Sequence, residues 1–161
     1  MVKKVGKRIL KATPTNQIEG KIQPQAIELE QAVLGALMID NESLSDAIDS
    51  LKTEYFYAPK HQKIFEAITN LFNNTQPVDI LTVSEELKRL DCLKDIGGLV
   101  YISELTNNVA SASNTEFHAR IIAEKFIKRS LINISRRISN DAFDDAVDIF
   151  DLLNNAESEL F

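Results

Sequence analysis

The segment at 113–161, SNTEFHARIIAEKFIKRSLINISRRISNDAFDDAVDIFDLLNNAESELF, contains neither proline nor glycine, and its reading decides the fold class. Ser113 followed by Glu116 has the spacing of a capping box. From there apolar residues at 119, 122, 126, 131, 134 and 138 mark one face of a helix running to about residue 140, roughly 40 Å long at 1.5 Å per residue. A second helix, capped by Asp144 or Asp145, carries Ala146, Ile149, Leu153, Ala156 and Leu160. The short polar break between them predicts an antiparallel helical hairpin.

Charge is divided between the two arms. Residues 113–140 hold six basic groups (Arg120, Lys125, Lys128, Arg129, Arg136, Arg137) against two acids, whereas 141–161 hold seven acids and no base, so each helix can screen the other. Phe126, Ile127, Leu131 and Ile132 point in successive directions around the first helix, and Phe150 and Leu152 do so on the second. Apolar side chains on most sides of a helix call for burial on more than one side. The expectation is a homodimer or larger assembly formed through the hairpin, with Phe126, Leu131, Ile132 and Phe150 as candidate interface residues.

Upstream the pattern stays helical. Pro24 suits a first turn, and Ile27, Leu34, Leu37 and Met38 recur at helical spacing over about 25–38. Gly35 inside that helix costs about 1 kcal/mol relative to alanine, so a close helix–helix approach is expected there. Asp40 or Asn41 can cap a short helix with Leu44, Ala47, Ile48 and Leu51 on its apolar face. Tyr55, Phe56 and Tyr57 form an aromatic plug that anchors the core; a base-stacking platform is the alternative. Pro59 opens a helix with Ile64, Phe65, Ile68, Leu71 and Phe72 on one side, and Asp79 caps another bearing Ile80, Val83, Leu87 and Leu90. The neighbouring Glu85 and Glu86 are read as solvated surface. Gly97-Gly98 reads as a turn or cap, and Leu99 to Asn107 as a short helix, with a strand at 99–102 as the alternative.

The chain therefore divides into a flexible basic arm at 1–23, a helical head at 24–112 and the hairpin at 113–161: an all-α fold, a compact multi-helix head followed by an antiparallel hairpin. With 44% hydrophobic and 26% charged residues it has a globular composition, and no apolar run approaches the roughly 20 residues of a membrane span. The start lacks the apolar core of a cleavable signal, so a cytoplasmic location is expected. Five basic groups fall within residues 1–11, leaving 13 against 24, or −11, for the remainder. That balance is unfavourable for general DNA binding, although the arm and the basic stripe of the hairpin keep a DNA-binding module open as the alternative function.

Catalytic signatures are missing. The only Gly-Lys, Gly20-Lys21, lacks the rest of a phosphate-binding loop, and there is no nucleophile elbow, His-Glu-x-x-His or Cys-x-x-Cys. Cys92, with only His61 and His118 beside it, offers no zinc spacing and reads as a packed small hydrophobe. Each histidine reads as surface or half-buried. No catalytic, cofactor-binding or metal-ligating residue is assigned.

Four segments taken in order carry a resemblance: PQAIELEQAVLGALMID at 24–40, FYAPKHQKIFEAI at 56–68, QPVDILTVSEELKRL at 76–90, and IGGLVYISELTNNVASASNTEFHARIIAEK at 96–125. Together they resemble the N-terminal domain of DnaB-type replicative DNA helicases, over about residues 22–161. The resemblance implies a bacterial, cytoplasmic, nucleoid-associated protein whose heads associate through hairpins into a trimer-of-dimers collar on a hexamer. It also implies docking of the C-terminal helicase-binding domain of primase, leaves a helicase loader open, and makes this chain a truncated piece of a longer enzyme. ATP, magnesium and DNA would then belong to a motor domain outside the chain, with no cofactor and no activity expected of the chain alone. By position, Tyr101, Ile132 and Ile138 are the residues implied for partner or collar contacts, with ordinary core packing as the alternative.

Overall fold

A computed structural model describes residues 21–109 and 112–161, and among these there are helices and turns but no strands. The basic arm foreseen at 1–23 therefore lies almost wholly outside the described residues. The head contains α1 (Ile27–Leu37), α2 (Asn41–Ser50), a 3-10 turn (Thr53–Tyr55), α3 (Pro59–Asn73), α4 (Ile80–Arg89), α5 (Leu93–Ile96) and α6 (Gly98–Asn107). A second 3-10 turn (Ala112–Asn114) leads into the long α7 (Thr115–Ala142), and α8 (Ile149–Leu160) folds back on it. None of these helices is long and apolar enough to cross a membrane.

The head is arranged around α1, which packs against α2, α3, α6 and α7. Val33, Leu34 and Leu37 of α1 are fully buried with Phe56, with Ile64 and Ile68 of α3, and with Val83 and Leu87 of α4. Ile102 of α6 and Ile122 of α7 complete the core. Phe56 is the buried member of the aromatic plug; its ring lies 4.9 Å from that of Phe65, while Tyr57 remains partly exposed.

Local chemistry sets the helix ends. Asp40 caps α2 by accepting from the Glu42 N–H at 3.0 Å, and the Ser43 hydroxyl together with that N–H holds its carboxyl below the usual aspartate value. Asp79 and Thr82 form a reciprocal capping box on α4. Gly97, at φ 113°, closes α5 and opens α6, a left-handed conformation that a side chain would strain.

Four expectations are corrected. Pro24 is not in the first turn of α1, which begins at Ile27; its carbonyl is instead bonded by Arg129. Helix α7 starts from Asn114 and not from Ser113, which stands in the preceding 3-10 turn. The cap of α8 is Asp148, accepting from the Phe150 and Asp151 N–H groups; Asp144 accepts from Ala146 N–H, which makes a turn in the connection instead of a helix start. Glu86 is not solvated surface: its side chain is 10% exposed because Asn70 and Arg89 hold it against the helix, whereas Glu85 projects outward. These bonds lower the Glu86 carboxyl below its ordinary value, Arg89 contributing most. The single turn α5 carries no periodic signal in the sequence and was not foreseen.

Gly35 shows why α1 and α6 lie so close. A Cβ there would collide with the Leu105 carbonyl, whose carbon would be 2.8 Å away, and with Val109 Cγ2 at 2.6 Å. Main chain cannot rotate aside as a side chain can. On an open helix Gly→Ala would stabilise by about 1 kcal/mol; here Gly35→Ala should destabilise by about 1–3 kcal/mol, read as a lowered midpoint in thermal or urea unfolding.

Candidate interaction surfaces

Two places in the fold gather the candidate contact residues: the α6 face of the head and the hairpin. On the head, α1 turns Glu30 inward at the helical spacing of Ile27, Leu34 and Leu37, so that an acid lies on the buried face and is 1% exposed. Its carboxylate accepts the Tyr57 N–H at 2.6 Å, the Ala58 N–H at 3.3 Å and His61 Nδ1–H at 2.6 Å. His61 is fully buried, correcting the expectation of a surface or half-buried ring. With Nδ1 donating in a neutral imidazole, Nε2 accepts, and the Tyr101 hydroxyl donates to it at 2.7 Å. Gln31 Nε2 donates in turn to the Tyr101 oxygen at 3.2 Å, and the Lys60 ammonium lies 3.8 Å from the tyrosine ring centroid. Tyr101 is thus the half-exposed end of a polar chain whose interior members are buried.

The hairpin joins the head at another defined seat. Arg129 donates from Nη1 to the Pro24 carbonyl at 2.8 Å and from Nη2 to the Tyr55 carbonyl at 2.7 Å, with its guanidinium over the Tyr57 ring. Burial lowers the pKa of this guanidinium, while the charges of Glu30 and Tyr57 act in the opposite direction. Phe126, one turn earlier, stacks on Tyr55 with ring centroids 4.7 Å apart, so it is engaged within the chain. Beyond this seat α7 leaves the head: no residue from Ile127 to Ala142 is buried, and α8 has no buried residue.

The remaining candidates lie on that protruding part. Leu131 is 46% and Phe150 71% exposed, while Ile132 and Ile138 are half-buried. The face of α7 that meets the head passes through Ala119, Ile122, Phe126 and Arg129, so Leu131 does not share it as the spacing predicted. The structure does not bring Tyr101 together with the hairpin candidates by any bond among the described residues. The basic stripe is partly committed: Arg129 to the head, Arg120 to Glu124 on its own helix, and Arg137 to Glu159 across the hairpin. Cys92 donates to the Leu87 carbonyl and burial raises its thiol pKa, as suits a packed residue. Glu30 and Arg129 are the site residues that sequence reasoning missed; an acid at core spacing was the available signal for Glu30, and nothing local distinguished Arg129 from its basic neighbours.

Removing the acceptor at the centre of this network leaves buried donors unmatched, at about 1–3 kcal/mol for each such group. Glu30→Gln, which replaces one acceptor oxygen by an N–H donor, should therefore lower stability by about 1–3 kcal/mol in urea unfolding.

The model of the DnaB-like helicase N terminal domain matches residues 22–124. The chain is 49% identical over 146 residues to the replicative DNA helicase DnaB of Rhodothermus marinus, covering 91% of this chain and 15% of that protein. It is 39% identical over 148 residues to the Treponema pallidum DnaB, covering 92% of this chain and 34% of the relative. The crystal structure of the N-terminal domain of DnaB helicase from Mycobacterium tuberculosis superposes with a TM-score of 0.79 at 32% identity, over 86% of this chain and 98% of that one. A DnaB-like replicative helicase, described with its interactions with primase, gives 0.69 at 29% identity over 84% of this chain and 31% of that one. The chain thus spans only a small part of the length of these replicative helicases, and the part it spans has their N-terminal fold. With the family model covering most of the head and the entry to α7, the chain belongs to the DnaB-like helicase N-terminal domain family.

Proposed function

We propose that this chain acts as the collar domain of a DnaB-type replicative helicase, assembling subunits through its hairpin and docking primase, while a motor outside the chain hydrolyses ATP and unwinds DNA. The observation that carries the assembly role is the state of α8. It is amphipathic yet has no fully buried residue, and Ile149, Phe150 and Leu153 are 56%, 71% and 58% exposed, with Phe143 at the bend 87% exposed. Such an apolar surface on a protruding hairpin suits a second copy of the same hairpin in a closed pair, and a second contact between the heads of three such pairs would complete a trimer of dimers. The primase role is supported by the structural relative described with primase. Tyr101, Ile132 and Ile138 are the proposed contact residues, each leaving part of its side chain accessible. A DNA-binding role is less well supported, because three of the six hairpin cations are already bonded to the head or to acids.

Two measurements test this reading. Light scattering should report a dimer or larger species, and Phe150→Asp should shift it to monomer without lowering the unfolding midpoint of the head, because Phe150 packs against none of the core. A monomer for the unmodified chain at high concentration would remove the assembly role. In titration with the C-terminal domain of the cognate primase, binding should be detected and weakened at least about tenfold by Tyr101→Ala. No binding up to about 100 µM, with the chain folded and dimeric, would sink the docking role.

A further inference from the structure

Tyr101 and Arg129 stand at opposite ends of one continuous set of contacts. The Tyr101 hydroxyl is 2.7 Å from His61 Nε2, and His61 Nδ1 is 2.6 Å from Glu30. Glu30 grips the backbone of Tyr57 and Ala58 from inside the head. From outside, α7 grips the same segment: Arg129 bonds the Tyr55 carbonyl and lies over the Tyr57 ring, and Phe126 stacks on Tyr55. Residues 55–58 are thus held between the buried carboxylate and the root of the hairpin.

We infer that the Tyr101–His61–Glu30 chain couples the α6 face of the head to the seating of the hairpin, so that a contact made or broken at Tyr101 changes how α7 is held at Arg129. The coupling rests on the proposed function only in naming Tyr101 as the partner-facing end. With the imidazole neutral, each group in the chain has one hydrogen-bonding sense. The carboxylate only accepts, so the imidazole Nδ1 donates, Nε2 accepts and the phenol donates. A partner group that draws the Tyr101 proton away leaves the buried Nε2 without its donor, and the imidazole and carboxylate must readjust together. That adjustment falls on the two backbone N–H groups that Glu30 holds, and so on the Tyr55 carbonyl that receives Arg129. The lever is long: α7 runs on from Arg129 to Ala142, about 20 Å at 1.5 Å per residue, so a tilt of about 5° at the seat moves the tip by about 2 Å.

Amide hydrogen exchange on the full 161-residue chain, without partner, tests this for Tyr101→Phe, Arg129→Met and the double variant. Tyr101→Phe removes the hydroxyl that meets His61 Nε2 and accepts from Gln31, and leaves the ring in place. It should speed exchange at 55–58 and 126–142 by at least about threefold while leaving Val83 and Leu87 in the α4 core unchanged. Arg129→Met should speed the same segments, and the double variant should add less than the two separate effects predict, because the changes lie on one network. A Tyr101→Phe response confined to α6 and the surroundings of Gln31 and His61 would overturn the coupling, as would an equal rise in the α4 core or strict additivity. Adding the primase C-terminal domain separates the two readings: absence of protection at Tyr101 would count against docking there, while the partner-free exchange result decides the coupling on its own.

Discussion

A carboxylate taken out of water must be met by hydrogen-bond donors, and the head of this protein is arranged to meet that demand at Glu30. Its desolvation is offset only because two backbone N–H groups and an imidazole converge on it. Those donors come from the segment that enters α3 and from α3 itself, so α1 and α3 are fixed in register by a polar contact as well as by their packing in the shared core. The aromatic plug follows from the same constraint. With Tyr57 and Ala58 tied to Glu30, Phe56 is directed into the core and Tyr55 outward, where Phe126 and Arg129 of α7 find it. A hydrophobic residue at position 30 could fill the volume, but it would leave three donors unmatched and the hairpin seat undefined.

Gly35 supplies the complementary constraint on the other side of α1. Close approach of α6 brings Ile102 and Leu105 into the core and sets Tyr101 within reach of His61. The polar chain therefore depends on an apolar contact that no side chain at position 35 would permit. Both features occupy one eleven-residue helix with few exposed positions, and that helix packs against α2, α3 and α6 of the head and against α7.

Most of the fold was legible from residue periodicity. Pro59, Asp40 and Asp79 mark true helix starts because proline and aspartate satisfy local backbone requirements that do not depend on tertiary context. Gly35 announced a close approach because its helical cost needs compensation. Asp144 and Asp145 were named for the start of α8, but Asp148, within about one turn of them, is the cap, a choice made by the course of the backbone. The site was less legible. Tyr101 was named by resemblance, but the identity of its partner His61 and the acid behind it required knowing that α1, α3 and α6 meet. His61 shares the spacing of Ile64, Ile68 and Leu71, so its burial was available from the pattern; its hydrogen-bond partners, 31 and 40 positions away, were not. Arg129 belongs to the same difficulty, since a bond across 105 residues to Pro24 leaves no trace in local sequence.

The hairpin presents the opposite energetic situation from the head. An isolated twelve-residue helix is marginal in water, and α8 has Asp148 at its cap, an ion pair from Glu159 to Arg137, and one side against α7 to hold it, with no buried residue. Its apolar face remains open, so the strongest stabilisation still available to it is the burial of that face. In the proposed assembly the facing hairpin would provide such burial, at about 25 cal/mol for each Å² of apolar surface removed from water. Order in α8 and association of the collar would then be two aspects of one equilibrium. The seat at Arg129 gives that equilibrium a fixed origin: because the root of α7 is bonded to the head, the direction in which the open face is presented is determined by the head and not by the hairpin alone.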